Sequence, residues 1–241
     1  MFYKIFILIT FSFIVSAHAQ QSDKDKVQAQ VNETIKKLDW GGLDRYSQIN
    51  NKLKVLDNKP DAVFMGNSIT EGWSMNLPNF FSENNFINRG IGGQTTPQML
   101  IRFRQDVINL KPKSVVILAG INDIAINTKF YSIEVIAENI FSMVELAKAN
   151  GIIPIICSVL PADKFAWNPN ISPAASVVKL NVLLETYSVQ NEVLYLNYFD
   201  KMNNDKGGLQ DELTYDGVHV TKKGYELMSK LSKEFVLNAI K

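Results

Sequence analysis

Short apolar runs alternate with longer, helix-patterned segments along most of this chain. Strands are predicted at about 60–66, 86–89, 114–119, 152–160 and 193–199, and helices at about 43–56, 97–110, 133–149, 173–190 and 221–241. Strand–helix alternation with short connections favours a parallel sheet with helices on both faces and right-handed crossovers. The sequence therefore predicts one α/β domain, and no internal repeat is visible.

The first residues have the pattern of a secretory signal peptide. Lys4 precedes an apolar run to about Ala17, and Ala17-His18-Ala19 resembles a cleavage site. The run is shorter than the roughly 20 residues that span a bilayer. We expect residues 1–19 to be removed, leaving an exported protein, periplasmic or secreted, although an uncut signal anchor is the alternative. Residues 20–57 are then a lead-in with one packing helix, and residues 58–241 form the main domain.

Charge and cysteine content exclude several classes of protein. Without Lys4 the chain has 24 basic and 24 acidic residues and no dense basic run, which argues against binding to nucleic acid or to an anionic membrane surface. Cys157 is the single cysteine, so no intrachain disulfide forms. Cys157 could act as a nucleophile, but within Ile155-Ile156-Cys157 it is more typical of a buried hydrophobe. Once His18 is cleaved off, His219 is the one histidine that remains.

The stretch from Val63 to Thr70 ends an apolar run in Gly66, Asn67 and Ser68. A parallel strand is covered on both faces, so its sequence is continuously apolar. Ser68 would follow such a strand at the sheet edge where open α/β proteins bind ligands. A plain turn is the alternative interpretation, and Ser68 as a nucleophile gains support only from other stretches.

Two glycine-containing stretches follow other predicted strands. Asn88 to Thr95 lacks the third glycine of a dinucleotide fingerprint, so either a flexible turn or an oxyanion donor at the backbone N–H of Gly93 is favoured. Gly120-Ile121-Asn122-Asp123 is typical of a turn with a capping residue. Beside Ser68, the Asn122 amide becomes a candidate oxyanion donor, and Asp123 is interpreted as a cap or local brace.

The last stretch, Asp216-Gly217-Val218-His219, precedes the final predicted helix. An aspartate three residues before a histidine can fold back, hold the imidazole and fix its tautomer. A zinc site is disfavoured because one histidine and one distant cysteine supply too few preferred ligands. Three of these stretches follow predicted strands, and the fourth lies in the loop after the last strand. We therefore expect all four to meet at one edge of the sheet.

In these four stretches the chain resembles the SGNH hydrolases, the GDSL-type lipase and esterase family. The resemblance implies that Ser68 is the nucleophile, Asp216 and His219 complete the triad, and Ser68, Gly93 and Asn122 form the oxyanion hole. It also implies a flavodoxin-like three-layer α/β/α sandwich with a five-stranded parallel sheet, and neither metal nor cofactor. Asn67 stands where the family has aspartate, and Val220 where proline is common.

Residues 159–162 and the leading segment with Trp40 and Tyr46 resemble small exported acylhydrolases similar to platelet-activating-factor acetylhydrolases. The implied function is a serine ester hydrolase that removes short acyl groups, above all acetyl, from an acylated carbohydrate or another small ester. The polar loops 161–173 and 200–215 lack an amphipathic run suited to a lid over a long acyl chain. The alternatives are a lipid acylhydrolase of lysophospholipase or thioesterase type and a non-catalytic binding module. Trp73 and Trp167 either line the pocket or pack elsewhere.

Overall fold

The computed structural model describes residues 24–31, 33–34, 38–55 and 59–241. The predicted signal peptide, residues 1–19, lies outside this range. The chain divides into two compact units, Met1–Gly42 and Leu43–Lys241. In the first unit, residues 24–31 are helical. Across the described ranges, every helix is too short or too polar to cross a bilayer.

The second unit contains a five-stranded sheet whose strands are all parallel. The strands are β1 (Ala62–Gly66), β2 (Phe86–Gly90), β3 (Ser114–Leu118), β4 (Ile153–Cys157) and β5 (Leu194–Leu196). Their order, β2-β1-β3-β4-β5, is that of flavodoxin-like folds and confirms the predicted fold class. Gly66 is paired with Gly90 and with Leu118. The three loops that follow β1, β2 and β3 therefore leave the sheet side by side.

Helices cover both faces of the sheet. They are α1 (Ser47–Val55), α2 (Ser68–Asn76), α3 (Phe80–Glu83), α4 (Thr96–Asp106), α5 (Ile121–Ile124), α6 (Ile133–Ala149), α7 (Ala174–Gln190), α8 (Phe199–Met202) and α9 (Lys222–Ala239). Helix α4 packs against α1 and α6, α6 packs against α7, and α9 contacts α2. These contacts separate the long helices into two layers, as the three-layer sandwich requires.

Several element ends differ from the sequence expectation because side chains intervene. The last predicted strand ends at Leu196, and the backbone N–H of Phe199 donates to Ser158 Oγ (2.9 Å) as α8 begins. Strand β4 ends at Cys157, although the backbone N–H of Ser158 still donates to the carbonyl of Leu196 in β5 (3.1 Å). The backbone N–H of Val159 donates to Asn181 Oδ1 (2.7 Å), which draws the chain away from the sheet.

Strand β1 lies in the centre of the core, and all five of its residues are buried. Four aromatic rings surround Phe64 at centroid distances of 5.3 to 6.0 Å; they belong to Trp73, Phe80, Phe81 and Phe86. Trp73 is fully buried, and its indole N–H donates to Ser229 Oγ (2.9 Å). Trp73 is therefore a core residue.

The first turn of α2 lies very close to the end of β2. A Cβ atom at Gly90 would lie 2.1 Å from the backbone nitrogen of Glu71, so only glycine fits there. The Gly90 carbonyl also accepts a 2.5 Å hydrogen bond from the Tyr46 hydroxyl. This close approach fixes the beginning of α2, and with it Ser68, at the carboxyl edge of the sheet.

Candidate active site

The structure brings Ser68, His219 and Asp216 into one chain of hydrogen bonds. Ser68 Oγ lies 3.0 Å from His219 Nε2, and His219 Nδ1 lies 2.6 Å from Asp216 Oδ2. A carboxylate oxygen only accepts, so the ring proton belongs on Nδ1 and Nε2 is left to accept from the serine hydroxyl. Ser68 and His219 are 151 residues apart in sequence.

The loop that carries His219 is organised by its own hydrogen bonds. Asp216 Oδ1 accepts from the backbone N–H groups of Val218 (2.9 Å) and His219 (2.7 Å). The Thr214 hydroxyl donates to the His219 carbonyl (2.7 Å) and accepts from the Gly217 N–H (2.9 Å). Partial burial opposes ionisation of Asp216, but hydrogen bonds from the His219 side chain and backbone outweigh it and lower the pKa of this carboxyl. The carboxylate is thus held in its charged form.

Ser68 is the first residue of α2, and Asn67 caps the helix. Asn67 Oδ1 accepts from the backbone N–H of Ile69 (3.0 Å), satisfying one of the free donors of the first turn. The N–H of Ser68 itself has no partner in the described part of the chain. Asn67 Nδ2 is buried and also lacks a partner there. An aspartate at position 67 would carry no such donor.

The loop after β2 passes beside Ser68. A Cβ atom on Gly92 would lie 3.9 Å from Ser68 Cβ, and the Gly92 N–H donates to Glu71 Oε2 (2.9 Å). Glu71 Oε1 in turn accepts from Arg45 Nη2 (2.8 Å). Gly93 has a φ of +76°, which favours glycine, and its N–H meets no acceptor among residues 59–241 or the other described ranges.

Asn122 is attached to the same loop. Its Nδ2 donates to the carbonyl of Gln94 (2.9 Å), and the residue is buried. Asp123 faces away toward α4, where its carboxylate accepts from the Thr96 N–H (3.0 Å) and the Thr96 hydroxyl (2.7 Å). It satisfies the first N–H of a helix 27 residues away, and burial raises its pKa to about 6.

A fully buried arginine, Arg102, forms hydrogen bonds that hold this loop in place. Arg102 donates to Gln94 Oε1 (2.6 Å), to the carbonyl of Gly66 (3.0 Å) and to Asp106 Oδ2 (2.9 Å). Arg102 and Asp106 both have 0% side-chain exposure. One side chain therefore ties the residue before Asn67 to the residue that holds Asn122.

The buried network extends to α1. Asn50 Nδ2 donates to Asp106 Oδ1 (2.6 Å), while Asn50 Oδ1 accepts from Arg89 Nε (3.0 Å) and Nη2 (2.6 Å). The Arg89 guanidinium also lies 4.6 Å from the centroid of the Tyr46 ring. Burial lowers the pKa of Arg89 to about 10, so it remains charged at neutral pH. Helix α1 is thus joined to α4 and to β2 through polar contacts that sequence periodicity did not reveal.

Two aromatic rings flank His219. The Tyr215 ring stacks on the imidazole with centroids 5.8 Å apart, and the Trp167 ring lies 6.0 Å away at 43°. Each ring comes from one of the two polar loops predicted to frame the site. Tyr215 immediately precedes Asp216, a signal that sequence reasoning did not use.

Cys157 is the last residue of β4, lies inside the core and is not part of the candidate active site. It is fully buried, and burial raises the pKa of its thiol far above the ordinary value. Within the described residues, no three histidine, cysteine, aspartate or glutamate side chains cluster as metal ligands would.

The chain matches a known protein family and is similar to solved structures. The sequence model of the GDSL-like lipase/acylhydrolase family matches residues 64–227. The crystal structure of a candidate acylhydrolase from Bacteroides fragilis NCTC 9343 is 45% identical, with a TM-score of 0.80, and the match covers 84% of this chain and 99% of that one.

Curated relatives extend the comparison. Platelet-activating factor acetylhydrolase IB subunit alpha2 of Rattus norvegicus is 27% identical over 216 residues, covering 84% of this chain and 88% of that protein. An uncharacterised lipoprotein of Bacillus subtilis (strain 168) is 40% identical over 78 residues. That second match spans only about a third of either chain, 31% of this one and 32% of the lipoprotein.

Proposed function

This chain belongs to the GDSL-like lipase/acylhydrolase family and is a carboxylic-ester hydrolase, and on that premise we propose that it works through Ser68, His219 and Asp216. Its proposed substrates are short acyl esters, above all acetyl esters, of a carbohydrate or another small alcohol. The observation that carries the proposal is the hydrogen-bonded chain from Ser68 Oγ through His219 to Asp216 Oδ2.

In the first half-reaction, Ser68 Oγ attacks the ester carbonyl carbon while its proton passes to His219 Nε2. Asp216 stabilises the resulting imidazolium. The tetrahedral intermediate collapses, the carbon–oxygen bond to the alcohol breaks, and the alcohol oxygen takes the proton from Nε2. In the second half-reaction His219 Nε2 takes a proton from water, whose oxygen attacks the carbonyl carbon of the acyl-serine. The bond from that carbon to Ser68 Oγ then breaks, the proton passes from Nε2 to Oγ, and the acid is released.

We assign the oxyanion to the backbone N–H groups of Ser68 and Gly93 and to the side-chain amide of Asn122. Both N–H groups are without an acceptor in the described part of the chain, and one N–H of the Asn122 amide is already oriented by Gln94. Donors fixed before the reaction stabilise the developing negative charge without reorganisation in the transition state.

The acyl preference is proposed from the two framing loops, which are polar apart from scattered apolar residues. The test is kcat/KM for acetyl, butyryl and octanoyl esters of one alcohol, below their micelle concentrations, with Ser68→Ala as the background. Each methylene buried on binding contributes about 0.8 kcal/mol, roughly fourfold. We expect a fall by octanoyl, whereas a steady rise would favour a lipid acylhydrolase of lysophospholipase or thioesterase type.

Action outside the cytoplasm, in the periplasm or after secretion, is a further part of the proposal. It is supported by the basic, apolar and A-x-A pattern of residues 1–19. The balanced charge of the chain fits a small-molecule or oligosaccharide ester substrate better than nucleic acid.

A further inference from the structure

Two aromatic side chains beside His219 are exposed to solvent. Tyr215 is 72% exposed and Trp167 is 45% exposed, although each ring approaches the imidazole within about 6 Å. Single exposed aromatic residues are common on protein surfaces and need no explanation. Two exposed rings on opposite loops beside one histidine indicate a surface that receives a ligand.

The Trp167 ring is held in place before any ligand arrives. Its indole N–H donates to Asn127 Oδ1 (3.3 Å), and its ring lies 5.1 Å from the buried ring of Phe165. The next residue, Asn168, donates to the carbonyl of Ala125 (3.2 Å). A ring that is already ordered costs little conformational entropy when it binds.

The two rings are assigned to the alcohol portion of the ester, and this assignment rests on the proposed function. His219 Nε2 delivers its proton to the alcohol oxygen as the carbon–oxygen bond breaks. The alcohol portion of the substrate must therefore lie against the imidazole. Groups that flank the imidazole contact the alcohol portion.

We propose that Trp167 and Tyr215 form the binding surface for a pyranose ring that carries the ester. A pyranose has a face of C–H groups and a rim of hydroxyls. The electron-rich face of an aromatic ring attracts the partly positive hydrogens of such a C–H face. The rim requires polar neighbours. These are Asn127, which is hydrogen-bonded to the Trp167 indole, and Lys164, which packs against Gly217.

Steady-state acetate release from two substrates tests this assignment. One substrate is an acetylated xylo-oligosaccharide, and the other is ethyl acetate, whose alcohol is too small to cover either ring. We expect Trp167→Ala and Tyr215→Ala each to lower kcat/KM for the oligosaccharide about tenfold more than kcat/KM for ethyl acetate, mainly through KM. Trp167→Phe and Tyr215→Phe, which keep a ring, should recover most of the loss.

A matched control is Val189→Ala, which removes an exposed apolar side chain from the last turn of α7 at the opposite edge of the sheet. It should leave both substrates unaffected. Equal losses on both substrates in the alanine variants would overturn the assignment, because the rings would then act by positioning His219. Unchanged kinetics on both, or a selective loss on octanoyl esters, would overturn it as well.

Failure of the proposed function is recognised separately. In that case wild type would release no more acetate from either substrate than Ser68→Ala. Binding of unacetylated xylo-oligosaccharide to the Ser68→Ala protein, measured by calorimetry, still tests the surface itself. We expect binding that weakens about tenfold in the Ser68→Ala/Trp167→Ala protein, and no detectable binding to Ser68→Ala would contradict the pyranose surface.

Discussion

The two halves of the candidate site are built in opposite ways. The nucleophile region, around Ser68, Gly93 and Asn122, is supported by Arg102 and Asp106, whose side chains have 0% exposure. The proposed base region, around Asp216 and His219, is a loop in which these two side chains are 25% and 28% exposed. The first is a buried tertiary network, and the second is a nearly self-contained turn.

The difference lies in sequence separation. Arg102 reaches the Gly66 carbonyl across 36 residues, and Asn50 reaches Asp106 across 56. The contacts that shape the base loop span two to five residues, from Thr214 to His219. The nucleophile region therefore depends on the whole fold, whereas the base loop can form from local interactions and needs the fold only to deliver it to Ser68.

Loss of ester turnover in variants of Ser68 and His219 shows whether the two regions act as one catalytic unit. Ser68→Ala and His219→Ala should each lower ester turnover by roughly 10⁶-fold, and the double variant should lose little more. Turnover by purified variants, checked against thermal unfolding to confirm folding, provides the measurement. If the rate losses of the two single variants multiplied in the double variant, or if His219→Ala kept near-normal turnover, the two regions would act independently.

The next effect concerns stability, and it should fall almost wholly on the nucleophile region. Arg102→Met leaves the Asp106 carboxylate buried without its cation, and should lower the free energy of unfolding by about 3–5 kcal/mol. Thr214→Val, which removes hydrogen bonds from the base loop, should cost about 1 kcal/mol. Urea unfolding followed by tryptophan fluorescence measures both, and exposed Arg104→Met on the same helix is the control. Similar costs for Arg102→Met and Thr214→Val would remove the distinction.

The smallest effect is a pH dependence of opposite sign in the two regions. Asp123 has a pKa raised by burial to about 6, so between about pH 4 and 6 the unfolded chain releases a proton that the folded protein retains. Wild type should therefore lose up to about 3 kcal/mol of stability relative to Asp123→Asn as pH rises through this window.

The pKa of Asp216 is lowered, so its contribution has the other sign. It is present above the ordinary aspartate value and is lost as pH falls below about 4. Relative to Asp216→Asn, wild type should therefore lose stability on the acid side. Urea midpoints from pH 3 to 7 for the three proteins check both signs, and parallel curves would contradict them.

The same contrast explains what the sequence could predict. The strands, their parallel arrangement and the Asp216-x-x-His219 turn follow from local apolar runs and local spacing. The Arg102 and Asn50 contacts could not be predicted, because nothing in helical periodicity distinguishes a buried arginine from an exposed one. Trp167 is far from His219 in sequence, so only the folded chain shows that it approaches the imidazole, whereas Tyr215 directly precedes the Asp216-x-x-His219 turn and could be found from it. The sequence predicts Asp123 as a cap or local brace, and the structure shows it capping α4, a helix distant in sequence.

We propose that Ser68 is a nucleophile activated by His219. Incubation with a fluorophosphonate, followed by intact-mass and peptide mapping, tests it most directly, because the reagent phosphonylates an activated serine irrespective of the natural substrate. We expect one adduct per chain, located on Ser68, absent in Ser68→Ala and formed far more slowly in His219→Ala. An adduct of equal yield in Ser68→Ala, or an unlabelled wild-type protein that still hydrolyses esters, would contradict it.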